Sequence, residues 1–272
     1  MTDAPNKVRE HYSSTGLLNR IMSALTTVLP GDLRLTVDQL APLDQFHTRG
    51  VLATAELASA AGLDASTRVL DLGCGIGGPA RFLASTLGSR VTGVDLSPDF
   101  IDAAKYLTAR SGLADRVTFQ VGDALHLPFE KETFDAVFLQ HVAMNVQDRS
   151  TLYAEVRRIL APGGRFATYD LVLGEHDVAY PVPWARDAST SFLLSELDTR
   201  SALEEAGFKA VHWRNDTQTA LEWFRAVMAG SPPGGLNLGV VMGPEFREMT
   251  ANLARNLREN RLGLLSAVLM QN

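Results

Sequence analysis

The chain has 272 residues, 46% of them hydrophobic, enough to bury a full core as one large domain or as a core with a cap. Its 25 Lys and Arg against 31 Asp and Glu give a net charge of −6, and the basic residues are scattered singly or in pairs, so no nucleic-acid partner is expected. The single cysteine, Cys74, excludes an intramolecular disulfide and a cysteine-based zinc site; with no window of roughly 18 apolar residues and no apolar run in the opening segment, a cytoplasmic protein without a membrane partner is expected.

In chain order, residues 1–62 read as a mostly helical N-terminal cap, and from about Thr67 apolar runs alternate with helical patterns, as in parallel βαβ units. "RVLDLG" is the first predicted strand, and "PARFLASTLG" a helix with proline in its first turn and glycine after its end. "RVTGVDLS" is the second strand, followed by the helix "PDFIDAAKYLTARSG"; "RVTFQVGDA" is the third. "FDAVFLQHV" is nearly continuous in apolar residues, the pattern of a strand covered on both faces. The helix "RSTLYAEVRRILAPGG" and the fifth strand "RFATYDLVL" follow. The helix "TRSALEEAGF" and the strands "KAVHWR" and "LGLLSAVLMQ" complete the set, with helices around "GSPPGG" before the last. The expected fold is α/β: a doubly wound, mostly parallel, Rossmann-like sheet of seven strands. Residues 63–272 form the core, with helical insertions at about 173–199 and 217–262. A ligand belongs outside the carboxyl ends of the strands, where their order reverses.

The loop after the first strand satisfies two cofactor patterns. Gly73, Gly75 and Gly78 spell GxGxxG, the dinucleotide fingerprint; Asp71 with Gly73, Gly75 and Gly77 spells DxGxGxG. Both put a helix N-terminus against the ligand, and Asp71 discriminates between them. A pyrophosphate beside that carboxylate would be repelled by on the order of a few kcal/mol in a partly dry site, whereas a ligand carrying an ammonium and a sulfonium would be attracted. S-adenosylmethionine has both. Asp95, 24 residues on at the end of the second strand, can accept its ribose hydroxyls. Asp123, with Ala124 and Leu125, ends the third strand near the adenine, and Leu96 and Leu125 can pack on its faces. Gln140 is a further cofactor or backbone contact.

"VLDLGCGIGG", "VTGVDLS", "VGDALHLPF" and "ILAPGGR" resemble the successive motifs of class I S-adenosylmethionine-dependent methyltransferases, over roughly residues 63–172. "DQFHTRG", "LQHVAMN" and "YPVPWA" are similar to bacterial small-molecule methyltransferases near the sarcosine/dimethylglycine enzymes, and natural-product sugar O-methyltransferases share parts of the pattern. The resemblance implies methyl transfer to an oxygen or nitrogen of a small metabolite, with S-adenosylhomocysteine as product. His141, at the end of the fourth strand, has the pKa range of a general base, and Asp170 after the next strand is the group expected to orient it. Gln45, His47 and Arg49 could close over the methionine carboxylate or the acceptor. Tyr12, Tyr180, Trp184, Trp223 and Phe224 are candidates for the acceptor wall or lid. The histidines show no HxxxH or HExxH spacing, so no metal is expected. A homodimer is compatible with this reading. The alternatives are C-methylation of an activated or isoprenoid carbon and a non-catalytic S-adenosylmethionine sensor; an NAD(P) oxidoreductase is disfavoured by Asp71.

Overall fold

The computed structural model describes residues 4–12, 16–28, 31, 34–230 and 236–272. Among these, seven strands form one sheet: β1 Arg68–Leu72, β2 Arg90–Asp95, β3 Val117–Val121, β4 Phe134–Gln140, β5 Leu160–Leu173, β6 Phe208–Asn215 and β7 Leu262–Gln271. Their order is β3-β2-β1-β4-β5-β7-β6. β1 pairs in parallel with both β2 and β4, and β7 runs antiparallel between β5 and β6, so the sheet is doubly wound and mostly parallel. The order reverses at β1, which opens a crevice at the carboxyl ends of β1 and β4. Ala136 to Leu139 of β4 are fully buried, which is why that strand reads as an unbroken apolar run rather than an alternation. β5 starts five residues earlier than Arg165: the Pro-Gly-Gly turn is absorbed into it beside a register shift between Phe134 and Ala136 of β4.

Among the described residues, four helices precede the sheet: α1 Ala4–Tyr12, α2 Leu17–Val28, α3 Val37–Asp44 and α4 Val51–Ala61. Thr36 and Gln39 form a capping box that starts α3, worth about 1 kcal/mol. The buried Leu17, Ile21 and Leu25 of α2 recur every fourth residue, one helical face. They cluster with Phe100, Ala103 and Leu107 of the helix α6, Pro98–Arg110. α4 is different. Its Ala53, Leu57 and Ala58 share the sheet's own core with Val69 and Phe138, so the helical cover of the sheet begins at residue 51, inside the stretch read as cap.

The remaining helices are α5 Gly78–Leu87, α7 Arg149–Ile159, α8 Glu196–Glu205, α9 Thr217–Gly230, α10 Gly239–Met242 and α11 Phe246–Arg258. The second insertion is therefore helical, and the turn expected at "GSPPGG" lies, beyond Gly230, outside the described residues. The first is not. Apart from a single 3-10 turn at Ala188–Thr190, residues 174–195 are irregular: Pro181 and Pro183 lack the amide a helix interior needs. α8 starts three residues ahead of expectation because the Ser195 side chain caps the Asp198 amide at 3.0 Å. No helix among the described residues is long and apolar enough to cross a membrane.

Candidate active site

A cavity of about 440 Å³ opens at the crevice where the strand order reverses. The ends of four strands build its floor: Asp71 to Gly75 after β1, Asp95 and Leu96 after β2, Gly122 to Leu125 after β3, and Gln140 to Val142 after β4. The roof comes from Val8 and Tyr12 of α1, Asp44 at the end of α3, and Phe46 and His47 beyond it. Of the residues singled out in the sequence, the structure thus brings together Asp71, Gly73, Gly75, Asp95, Leu96, Asp123, Ala124, Leu125, Gln140, His141, Tyr12 and His47.

The glycine loop explains its own double pattern. Gly77 does not line the cavity; it starts α5 at a φ of 83°, and a Cβ there would lie 2.5 Å from the Phe119 ring. Gly78 is required because the cap's Asp44 carbonyl comes so close that a Cβ would meet it at 2.2 Å. The last glycine of the apparent dinucleotide fingerprint thus serves cap packing. Arg81, wholly buried in α5, seals the same junction: it donates to Asp44 Oδ2 at 2.7 Å, to the Ile76 carbonyl at 2.8 Å and to Thr108 Oγ1 at 3.0 Å. An arginine inside the apolar run "GPARFLASTL" was the available sequence signal for this pair.

The acidic side chains differ in their state. Asp95 accepts from the amides of Gly75 and Ser97, both at 2.9 Å, so it ties the glycine loop to β2. Asp123 accepts from the Leu125 amide at 2.9 Å and shapes its own turn. Asp71 is 2% exposed and its Oδ2 has no hydrogen-bond partner among the described residues. Burial and the neighbouring Asp95 charge push its carboxyl up to about 7. A buried, unsatisfied carboxylate oxygen beside a second carboxylate is an arrangement that a cation completes, and S-adenosylmethionine fits these residues.

His141 follows β4 directly at a φ of 54°, a conformation that costs a non-glycine residue about 1–2 kcal/mol. Asp170 holds that turn. Its carboxylate accepts from the amides of Val142 at 3.2 Å, Ala143 at 2.6 Å and Leu171 at 2.8 Å. The expected pairing of Asp170 with the imidazole is corrected accordingly: those donors lie on the backbone beyond His141, and Asp170 does not line the cavity. The His141 ring stacks on Tyr169 with centroids 5.8 Å apart, and its Nε2 is buried without a partner among the described residues. Burial, then the neighbouring His47, hold its pKa well below the usual value. His47 Nε2 lies 2.9 Å from the Gly50 carbonyl, which can only accept, so Nε2 carries the proton and Nδ1 keeps its lone pair. Thr54 Oγ1 joins His47 Nε2 at 3.0 Å to Gln140 at 3.3 Å, and burial brings the His47 pKa down to about 4.

Other candidates lie elsewhere. Arg49 does not line the cavity: it pairs with Glu56 and Asp216, the latter at 3.3 Å, because α4 and the end of β6 offer it two carboxylates. Gln45 donates to Asp44 at 3.3 Å outside the lining. Trp184 and Phe224 are buried in the core, with Tyr180 and Trp223 packed against it, so these four aromatics anchor the insertions instead of lining the cavity. Asn145 was missed although it closes the quoted "LQHVAMN". Its carboxamide accepts from Tyr12 Oη at 3.1 Å and donates to the carbonyls of Trp184 and Thr190 at 3.0 and 2.9 Å. One side chain therefore joins α1, the turn after β4 and the first insertion.

The fold and the site are similar to those of class I S-adenosylmethionine-dependent methyltransferases. Residues 70–168 match the family described as "Methyltransferase domain". The chain is 35% identical over 169 residues to "Methyltransferase GfsG" of Streptomyces halstedii, covering 61% of this chain and 61% of that protein. It is 31% identical over 179 residues to "Sterol 24-C-methyltransferase ERG6" of Saccharomyces cerevisiae, covering 62% of this chain and 46% of that protein. The matches thus span about three fifths and under half of those relatives' lengths. In fold the chain is similar to a geranyl diphosphate C-methyltransferase of Streptomyces coelicolor A3(2), crystallised with Mg2+, geranyl-S-thiolodiphosphate and S-adenosyl-L-homocysteine. The TM-score is 0.71 at 18% identity, over 100% of this chain and 99% of that one.

Proposed function

We propose that the protein transfers a methyl group from S-adenosylmethionine to an oxygen or nitrogen of a small molecule, with His141 as the base. The observation that carries this reading is a cavity lined by three strand-end aspartates, Asp71, Asp95 and Asp123, and by His141, whose Nε2 is buried without a partner among the described residues. S-adenosylmethionine supplies an electrophilic methyl on a sulfonium, and the chain's residues then have four tasks. Asp71 offers a counter-charge to the ligand's cations. Asp95 offers an acceptor to the ribose hydroxyls while keeping Gly75 in place. Leu96 and Leu125 offer apolar faces to the adenine. The roof residues Tyr12, Phe46 and His47 exclude water from the acceptor side.

His141 stays neutral at physiological pH, so its ring has a lone pair to offer. Its lowered pKa makes it a weak base, and a weak base suffices: an alcohol oxygen that has gained a methyl is an oxonium, far more acidic than imidazolium. An amine acceptor needs only to arrive unprotonated. The test is single-turnover methyl transfer by the parent and His141→Ala at saturating S-adenosylmethionine. Hydroxyl chemistry predicts a loss of about 10²–10⁴-fold, and unchanged rates would remove His141 from the mechanism.

C-methylation of an apolar acceptor is the second reading, favoured by the names of the yeast and Streptomyces coelicolor proteins to which the chain is similar. Mass and NMR analysis of the methylated product separates the readings directly.

A further inference from the structure

Building on that methyl-transfer reading, we infer that the acceptor is a neutral, largely apolar molecule and not a phosphorylated or otherwise anionic one. The charged groups on the cavity wall are all acidic: Asp44, Asp71, Asp95, Asp123 and Asp148. Arg81 neutralises the first, and the cofactor's cations are the complement of Asp71. The cavity lining also includes the apolar Val8, Phe46, Val142 and Val146, with Tyr12 and Asn145.

An acceptor phosphate needs positive charge or a set of free donors, and no Lys or Arg is among the residues that line the cavity. Arg81 is wholly buried and bonded to Asp44, Ile76 and Thr108. Arg149, 9% exposed, is not part of the cavity lining; its Nη2 donates to the Phe192 carbonyl, its Nε and Nη1 are buried without a partner among the described residues, and its charge acts on Asp170. Arg49 is paired with Glu56 and Asp216. The residues outside the description contain no Lys or Arg that could be added to the wall. Both imidazoles, His47 and His141, are held neutral by burial and cannot replace a cation. Asn145 uses both amide hydrogens on backbone carbonyls, so it has no donor left for an acceptor phosphate. A polyanion brought against this wall meets carboxylates in a partly dry site, where like charges repel by more than they would in water. An apolar alcohol or amine meets side chains of its own polarity, with a single lone pair at His141 for its proton.

The test compares a matched pair, geraniol and geranyl diphosphate, by calorimetry and saturation-transfer NMR on protein saturated with S-adenosylhomocysteine, with and without Mg2+. Geraniol is expected to bind at least about tenfold more tightly. The weak binding of the diphosphate should strengthen as salt is raised to ~0.5 M, because screening relieves repulsion; attraction to a cationic site would give the opposite slope. Val8→Lys, which places a cation on the cavity lining, should raise diphosphate affinity about tenfold. Should Val8→Lys fail to fold, the salt slope of the parent decides by itself. Diphosphate binding as tight as geraniol in either metal condition, a diphosphate affinity that falls with salt, or no binding of either compound overturns the proposal. Failure of S-adenosylhomocysteine itself to bind would instead overturn the methyl-transfer reading.

Discussion

Replacing Asp71 by asparagine should stabilise the free protein and weaken its hold on the cofactor, each with a defined pH dependence. The carboxyl is 2% exposed, lacks a partner on Oδ2 and lies near the Asp95 charge, which together raise its pKa to about 7. In an unfolded chain it titrates near roughly 3.9. A folded-state pKa above the unfolded one means that the fold binds the proton more tightly. The stability this contributes is fully present below about pH 4 and is lost as pH rises to about 7. At 1.36 kcal/mol per unit, the loss above pH 7 is about 4 kcal/mol, an upper figure because a real site relaxes. Asp71→Asn removes that loss, so its melting temperature should exceed the parent's above pH 7, and the gap should close by pH 4. A cationic ligand favours the ionised carboxylate, so binding below pH 7 must release a proton. Parent affinity for S-adenosylmethionine should therefore weaken by up to about tenfold per pH unit from 7 downward, and the variant should lose this slope. Thermal denaturation and calorimetry over pH 4–9, in buffers of different ionisation enthalpy, measure both effects. A variant with the parent's pH profile in stability and binding would refute the assignment of Asp71 as the buried counter-charge.

Asp95→Ala should weaken cofactor binding by about 1–3 kcal/mol, measured by calorimetry, and should also raise amide exchange at Gly75 and Ser97, whose amides it accepts. In the parent, the turnover rate at saturating cofactor should stay flat through pH 6.5 and fall only at lower pH, because burial and His47 depress the His141 pKa; a midpoint at the usual histidine value would contradict that environment. Asp170→Asn should lower stability by about 1–3 kcal/mol, since a carboxamide accepts on one side only and cannot serve the amides of Val142 and Ala143 on one oxygen and that of Leu171 on the other, as the carboxylate does. Its pH–rate profile should keep the parent's shape; a profile matching His141→Ala would restore the direct histidine–aspartate coupling. Asp44→Ala should destabilise the fold by about 3–5 kcal/mol in chemical denaturation, because it leaves Arg81 charged and buried.

The sheet was legible because each strand and helix is specified locally. The proline at the start of α5 and α6, the continuous apolar run of β4 and the aspartate at or near the end of each of the first three strands all lie within a few residues of what they determine. The floor of the cavity, built from those strand ends, was legible for the same reason. The roof was not, because each of its contacts is long-range. Asp44 meets Arg81 37 residues away, Tyr12 meets Asn145 133 residues away, and Arg49 meets Asp216 167 residues away. A polar side chain in the cap looks the same in sequence whether it faces a ligand or a distant partner. Arg49 and Gln45 were therefore read as ligand groups when their partners are internal.

These distant contacts also tie the cap to the cavity. Gly78 and Arg81 belong to the helix whose N-terminus carries the glycine loop, and both are fixed by Asp44 at the end of α3. Three residues later His47 lines the cavity, and its Nε2 is tied through Thr54 of α4 to Gln140 at the end of β4. The cofactor loop, the roof and the strand that presents His141 are thus joined by buried polar contacts, so a shift of the roof cannot leave the loop or the end of β4 undisturbed. Buried pairs of this kind add little net stability compared with apolar packing but are costly to break singly. Their physical effect here is to hold cofactor loop and acceptor wall in one relative position. In-line methyl transfer depends on that position, because a misplacement of about 1 Å can cost on the order of 10²-fold in rate.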